Sequence, residues 1–368
     1  MPELADIFRI HGARYQERFA TGILPSHRRA LMDIRDCRTA AMGGQLYVCD
    51  QCGQEHYVYH SCRNRSCPKC HGKQTRQWLK ERRKELLPVP YFHVVFTVPS
   101  ELDGLLRANQ TALYSRLIKA AAESLIKLAA DPKYVGAQIG VMAVLHTWGR
   151  NMNYHAHVHC LVPGGGLSAD GQWRPAREGY LVPVRALSPI FQGKFLDEVA
   201  RILPNTPVPV AAMKKAWVVY CKPPVQDAEK VLNYLGRYVH RIAITNGRIL
   251  HVDEQRVTFS YQDAKDGKKR TMTVTGQEFL RRFLQHVLPK GVHKVRYYGL
   301  WSPSNRKRLE QARKVLTASR PVSPPSAEPS DSPTAAAPAE RPALRCPYCQ
   351  RGILVFRQRI PRQPRSPP

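Results

Sequence analysis

The pattern of apolar and polar positions along the chain predicts a mixture of helices and strands. Leu, Ile and Ala recur at helical spacing over residues 102–130, and Val and Leu do so over residues 228–240. Further helices are predicted over residues 73–87, 189–202, 277–287 and 305–316. Strands are predicted over residues 91–98, 139–148, 155–162, 216–221, 248–252, 256–261 and 270–274. Because these elements do not alternate regularly, we expect an α+β fold.

Composition divides the chain into five regions. The predicted regions are a helical lead-in (1–36), a Cys-, Gly- and Asn-rich region with a basic helix (37–88), a large folded region (89–316), a linker (317–345) and a basic tail (346–368). The linker is composed mainly of Pro, Ala, Ser and Glu, which predicts disorder.

Charge points to the kind of partner. The 368 residues include 57 Lys and Arg against 28 Asp and Glu, a formal net charge of +29. Such a field concentrates polyanions, so nucleic acid is the expected partner, and a membrane surface is the alternative. Because no apolar run reaches about 18 residues and no secretory pattern is evident, we expect a cytoplasmic, nucleoid-associated protein.

Cysteine spacing predicts a structural zinc site. The pairs Cys49/Cys52 and Cys67/Cys70 are two CxxC motifs separated by fourteen residues. Each motif can form one knuckle, and two knuckles complete a closed tetrahedral Zn²⁺ shell, which suits a structural role. Residues 37–88 are therefore predicted to form a small zinc-ribbon-like domain.

The same region contains further candidate zinc ligands. Cys62 is an alternative zinc ligand, and Cys37, His56, His60 and His71 can build a second site with it. The pair Cys346/Cys349 near the C-terminus cannot fill a tetrahedral site alone, so it either shares a metal between two copies of the chain or has no metal-binding role.

A histidine-rich strand predicts a second kind of metal site. His155, His157 and His159 alternate with small or apolar residues, and alternate residues of a strand share one face. His157 and His159 would form a chelate with open coordination positions, which a phosphate can occupy. The alternative is a surface strand with incidental histidines.

A helix with two tyrosines offers a nucleophile. Tyr234 and Tyr238 are four residues apart and would lie on one helix face, and Arg237 and Arg241 repeat that spacing. A phenolate can attack a phosphodiester and retain the strand covalently, while a metal and arginines polarise the phosphate. Packing of the tyrosines on the core is the competing interpretation.

These motifs carry a family resemblance. The segments CRTAAMGGQLYVCDQCG, SCRNRSCPKC, YFHVVFTVP, LHTWGRNMNYHAHVHCLVPGGGLS and YLGRYVHRIAIT resemble the transposases of the IS91 family of bacterial insertion sequences, which use the HUH endonuclease fold. The resemblance extends from near the N-terminus to about residue 315. It implies an HUH-type antiparallel sheet flanked by helices, preceded by the zinc-binding domain.

The resemblance also implies an activity. His157 and His159 match the metal-binding pair of that family, which would hold Mg²⁺ or Mn²⁺, and Tyr234 and Tyr238 match its nucleophiles. The expected reaction is cleavage and transfer of single-stranded or hairpin DNA ends in a rolling-circle mode, through a 5′-phosphotyrosine. His93, His155, Gln226 and Glu229 are the candidates for a third metal ligand.

Two other functions compete with a tyrosine transposase. A non-catalytic zinc-ribbon DNA-binding protein would account for the charge and the cysteines, and a metal-dependent nuclease that activates water would account for the histidines. The basic and aromatic stretch 294–314 suits stacking on single-stranded DNA, and core packing explains its aromatic residues equally well.

Overall fold

The computed structural model describes residues 1–225, 230–231, 236, 242–263, 266–318 and 344–364. The helices are α1 (Leu4–Arg18), α2 (Pro25–Asp36), α3 (Pro68–Arg83), α4 (Asp103–Ala108), α5 (Gln110–Ala129), α6 (Val184–Ile202), α7 (Val210–Lys214), α8 (Gly276–Leu284) and α9 (Arg306–Ala318). Short 3₁₀ turns span Ala40–Met42, Ser100–Leu102, Asn246–Arg248 and Pro303–Asn305.

The strands form antiparallel sheets, which confirms the α+β class. They are β1 (Gly44–Cys49), β2 (Glu55–Tyr59), β3 (Tyr91–Thr97), β4 (Gly140–Trp148), β5 (Tyr154–Pro163), β6 (Gly165–Leu167), β7 (Trp173–Pro175), β8 (Val218–Val225), β9 (Ile249–Val252), β10 (Arg256–Gln262), β11 (Lys269–Thr275), β12 (Val295–Gly299) and β13 (Leu354–Ile360). The largest sheet has the order β12-β4-β5-β3-β8.

The central strand β5 separates two chemically different faces of this sheet. Ala156, Val158, Cys160 and Val162 face a large apolar core that includes α5 and α6. The alternate positions of β5 carry histidines and then Leu161, which packs on the opposite face in a smaller apolar cluster. This alternation follows from the two-residue period of a strand.

A second apolar core contains residues from the first 37 positions of the chain together with residues from the segment 243–287. Helices α1 and α2 pack with α8 and the sheet β11-β10-β9. Within this core the rings of Phe8 and Phe283 meet edge to face, with centroids 5.4 Å apart. The N-terminal helices are therefore packed against residues from much later in the chain.

The N-terminal and C-terminal segments share a third sheet, of order β13-β1-β2. Strand β13 pairs antiparallel with β1, with Gly44 opposite Ile360 and Cys49 opposite Leu354. The sequence prediction treated the C-terminal CxxC and the residues after it as a separate basic tail. The structure instead makes part of that tail a strand of the cysteine-rich region.

The structure refines several sequence predictions. The helical region predicted over 102–130 forms two helices, α4 and α5, which meet at Asn109, and residues 163–183 contain the short hairpin β6-β7. The helix predicted over 228–240 lies mostly outside the described residues. Among the helices that are described, none combines the length and apolar character that a membrane crossing requires.

Replacing Phe283 by Ala tests the second core. Phe283 is 2% exposed, so its removal leaves a cavity between α1 and α8, and we expect the free energy of unfolding to fall by about 3–5 kcal/mol. Leu250→Ala is the control, since Leu250 is 45% exposed and its loss should cost less than about 0.5 kcal/mol. Chemical denaturation measures both changes, and equal losses would contradict the packing described.

Candidate metal centre

Three histidines on two neighbouring strands converge on one point. His157 and His159 lie on β5, and His146 lies on β4 directly opposite His157. Their candidate ligand atoms all lie within 4.8 Å of one another. His146 is buried, whereas His157 and His159 are half-exposed, so the group is open to solvent on one side. This geometry can hold one metal ion.

Hydrogen bonds orient two of these rings. His157 Nδ1 lies 2.8 Å from the backbone oxygen of His155, so Nδ1 donates and Nε2 is left for a metal. His159 Nδ1 lies 2.8 Å from Nε2 of His93. Burial, with a smaller contribution from Lys222, lowers the pKa of His93 to about 3, so its ring stays neutral and can accept a hydrogen bond from His159.

The third member of the group was missed in the sequence. The sequence candidates were His93, His155, Gln226 and Glu229. His93 contacts His159 and the backbone oxygen of His155 contacts His157, and neither His93 nor His155 belongs to the three-histidine group. Gln226 and Glu229 lie outside the described residues. His146 could have been found by pairing the two predicted strands across their turn, because that register places it opposite His157.

The surroundings of the group are cationic. Lys222 lies opposite His93 in the strand register, and Lys294 Nζ lies 4.7 Å from the centre of the Trp148 ring, which stacks on His146. Three neutral imidazoles add no negative charge, so a bound divalent ion would keep its attraction for phosphate. Nitrogen donors favour a transition ion such as Mn²⁺ over Mg²⁺, which prefers oxygen.

One described residue of the predicted tyrosine helix, Val231, lies on the histidine face of the sheet. Val231 is buried in the cluster that contains Val144 and Leu161, and Val144 is the strand partner of His159. Gly236 approaches α3 so closely that a Cβ there would lie 3.1 Å from Leu79 Cδ1. The predicted site residues Tyr234, Arg237, Tyr238 and Arg241 are outside the described part of the chain.

Eight of the ten cysteines form two groups, and the structure does not bring together the four ligands predicted for a single shell. Cys67 and Cys70 converge with Cys37 and Cys62, whereas Cys49 and Cys52 converge with Cys346 and Cys349. The first arrangement arises because Cys37 directly follows α2 and Cys67 directly precedes α3. The second arises from the β1–β13 pairing, which brings the C-terminal pair beside the first CxxC motif.

The first cysteine group has the dimensions of a tetrahedral zinc site. Sγ of Cys70 lies 3.6 Å from Sγ of both Cys37 and Cys62. Hydrogen bonds from Cys62 and Cys67 lower the pKa of Cys37 to about 7, and those from Cys37 lower the pKa of Cys70 as well. Hydrogen bonds with Cys37 raise the pKa of Cys62 and Cys67 in the same group. Zinc binds the thiolate form, so its binding would release protons from these two thiols. Neither His56 nor His60 belongs to it.

Basic side chains surround the link between the cysteine-rich region and the central sheet. Arg65 donates to the backbone oxygens of Leu288, Pro289 and Val292 and so anchors the cysteine loop. A cleft of about 1140 Å³ adjoins this contact, and its lining includes the basic residues Arg29, Arg63, Arg65, Arg107 and Lys290. On α3, Arg82 lies over the Tyr297 ring and pairs with Glu85, so it is turned partly towards the protein.

Comparison with known proteins gives the family. Residues 7–98 match the family described as "Transposase zinc-binding domain", and residues 140–308 match that described as "Putative transposase". The chain is 41% identical to the "Putative transposase y4qJ" of Sinorhizobium fredii, over 96% of this chain and 94% of that protein. It is 30% identical to the "Transposase for insertion sequence element IS801" of Pseudomonas savastanoi pv. phaseolicola, over 78% and 73%. No solved structure matches it.

These matches define a transposase, an enzyme that breaks and rejoins strands and whose partner is DNA. More particularly, the chain belongs to the IS91 family of insertion-sequence transposases and carries the zinc-binding domain of that family. The resemblance identified from the sequence is thereby confirmed.

Removing His146 should weaken metal binding. We expect His146→Ala to reduce Mn²⁺ affinity by more than about 100-fold. Loss of a residue that only hydrogen-bonds to a ligand costs about 10–100-fold, and His146 is itself a candidate ligand. His251→Ala is the control, since His251 lies on β9 and its side chain is 63% exposed. Calorimetric titration with Mn²⁺ measures both, and unchanged affinity in His146→Ala would contradict a three-histidine centre.

Replacing Cys67 by Ser should remove one zinc ion per chain, because the remaining three sulfurs cannot close the first group. Elemental analysis of the purified protein measures this loss. Cys221→Ser is the matched control, since Cys221 is half-buried on β8 and belongs to neither cysteine group. Full zinc content in Cys67→Ser would count against the assignment.

Proposed function

We propose that this transposase cleaves and transfers single-stranded or hairpin ends of its element in a rolling-circle mode, through a tyrosine of the segment 228–240. The observation that carries the proposal is the convergence of His146, His157 and His159 on the exposed face of the central sheet. Val231, three residues before Tyr234 in the sequence, supports it because Val231 packs on that same face.

Different residues of the site have different roles in the reaction. His146, His157 and His159 hold a divalent cation, which when bound polarises the scissile phosphate and offsets its charge. His93 and the backbone oxygen of His155 keep two of these rings in the ligating orientation. This arrangement leaves one side of the group accessible to a DNA phosphate.

The nucleophile is Tyr234 or Tyr238. Its phenolic oxygen forms a bond to phosphorus while the bond from phosphorus to the 3′ oxygen breaks. The tyrosine loses its phenolic proton and the 3′ oxygen gains a proton, so the leaving strand ends in a free 3′-OH. Arg237 and Arg241 contact the phosphate oxygens. The 5′-phosphotyrosine conserves the bond energy of the phosphodiester, so a second 3′-OH can later displace the tyrosine and rejoin the strand.

The zinc-binding domain and the basic cleft hold the DNA. Cys37, Cys62, Cys67 and Cys70 bind a structural zinc ion that fixes the loop carrying Arg63 and Arg65. The cleft beside that loop provides cationic side chains for the DNA backbone, so binding weakens steeply with salt. The enzyme acts on the bacterial nucleoid in the cytoplasm, where its element resides.

Covalent capture of DNA tests the tyrosine chemistry. Wild-type protein, end-labelled single-stranded DNA from the element terminus and Mn²⁺ should give a labelled adduct of protein size on a denaturing gel. Tyr234→Phe/Tyr238→Phe should lose the adduct and retain DNA binding, because only the two hydroxyls are removed. Tyr220→Phe is the control, since Tyr220 is exposed on β8.

Two results would contradict the proposal. Cleavage without an adduct would indicate a nuclease that activates water, and an adduct that persists in the double variant would place the nucleophile elsewhere.

A further inference from the structure

The second cysteine group joins the two ends of the chain. Sγ of Cys49 lies 3.6 Å from Sγ of Cys349, and Sγ of Cys52 lies 3.8 Å from Sγ of Cys346, across about 300 residues of sequence. Four sulfurs around one Zn²⁺ ion at about 2.3 Å lie about 3.8 Å from one another. A disulfide would require about 2.05 Å. These separations therefore match a tetrahedral metal site.

Both CxxC motifs of the group have the same local conformation. In each motif the N–H of the residue after the second cysteine donates to the backbone oxygen of the first cysteine at 3.0 Å, from Gly53 to Cys49 and from Gln350 to Cys346. In addition, the N–H of Cys52 points to Sγ of Cys49 at 3.5 Å, and the N–H of Gly352 points to Sγ of Cys349 at 3.4 Å. Such N–H groups stabilise a thiolate sulfur. A positive φ follows each pair, +68° at Gly53 and +57° at Gln350. The two motifs are thus two facing knuckles.

Backbone contacts hold the knuckles in register. The N–H of Asp50 donates to the oxygen of Ile353, and the N–H of Ile353 donates to Oδ1 of Asp50 at 2.8 Å. At Gly352 a Cβ would lie 2.4 Å from Sγ of Cys49, so only glycine permits this approach. The C-terminal knuckle is therefore shaped to fit the N-terminal one.

Apolar packing alone is too small to hold this sheet together. Its buried cluster comprises Cys49, Cys346 and Leu354, with Tyr47 and Cys349 partly buried beside them. Strand β2 has no buried residue, and β13 has Leu354 as its one buried residue. A core of this size needs a covalent or metal cross-link to be stable.

We propose that Cys49, Cys52, Cys346 and Cys349 bind a second structural zinc ion, a clasp that fastens the C-terminal segment to the N-terminal domain. Four thiolates in a closed tetrahedron suit Zn²⁺ and leave no position for substrate. The C-terminal pair lies beyond both regions that match known families, 7–98 and 140–308. The clasp does not depend on the tyrosine chemistry.

Zinc content is the first test. In full-length protein, Cys346→Ser/Cys349→Ser should lose about one zinc ion relative to wild type, and combining it with Cys67→Ser should lose about two, because the sites are separate. Cys221→Ser should lose none. Elemental analysis measures these differences. A double variant with the wild-type zinc content would overturn the clasp, as would a disulfide between Cys49 and Cys349 in protein purified under reducing conditions.

Native alkylation followed by peptide mass spectrometry is the second test. In Cys346→Ser/Cys349→Ser we expect iodoacetamide to modify Cys49 and Cys52, which lose their partners, while Cys67 and Cys70 remain protected as an internal control for folding. Continued protection of Cys49 and Cys52 in that variant would overturn the proposal.

A glycine substitution provides an independent variant that keeps every cysteine. Gly352→Ala should lose about one zinc ion per chain, since the added methyl group meets Sγ of Cys49. Gly104→Ala should keep the wild-type content, because a Cβ at Gly104 meets nothing within 4 Å. Full zinc content in Gly352→Ala would contradict the knuckle geometry.

Discussion

The antiparallel register between β4 and β5 is the constraint on which the candidate active site depends. It places His146 opposite His157, and the two-residue period of β5 then adds His159 on the same face. A slip of one residue would turn these rings into the apolar layer against α5 and α6 and expose Val158 and Cys160. The burial of that core therefore also holds the three histidines of the candidate metal centre in place.

The same sheet supports the centre with residues that do not ligate. His93 lies on β3 and contacts His159 from the side opposite β4, so the ligands are held between neighbours on both sides. Arg65 ties the cysteine loop to the segment just before β12, and the backbone oxygen of Lys294 in that segment accepts from the N–H of Leu145 on β4. The zinc-binding domain and the sheet are thus linked by a few polar contacts.

The two cysteine groups lie in different surroundings. The first lies at the junction of α2 and α3 and packs into the second core, where Cys37, Cys67 and Cys70 are buried. The second lies in a sheet with almost no core of its own. In the second group the proposed zinc ion would substitute for hydrophobic burial, which is the usual solution in small cysteine-rich domains.

The sequence by itself determined the local features and the family. Strand alternation predicted that His157 and His159 share a face, apolar spacing predicted α5 and the central strands, and the quoted motifs indicated the transposase family that the comparisons confirm. These properties depend on residues close together in the chain, so short-range patterns carry them. The expected zinc-binding domain followed from the CxxC motifs in the same way.

Only the tertiary structure decided which distant groups meet. His146 joins the candidate metal centre through strand register, and Cys49 and Cys52 lie beside Cys346 and Cys349 near the C-terminus and not beside the nearby CxxC motif. Spacing in the sequence could not choose between these pairings, because each knuckle presents the same two sulfurs to any partner. The choice was made by hydrogen bonding between β1 and β13 and by the positions of α2 and α3, which depend on packing across the whole chain.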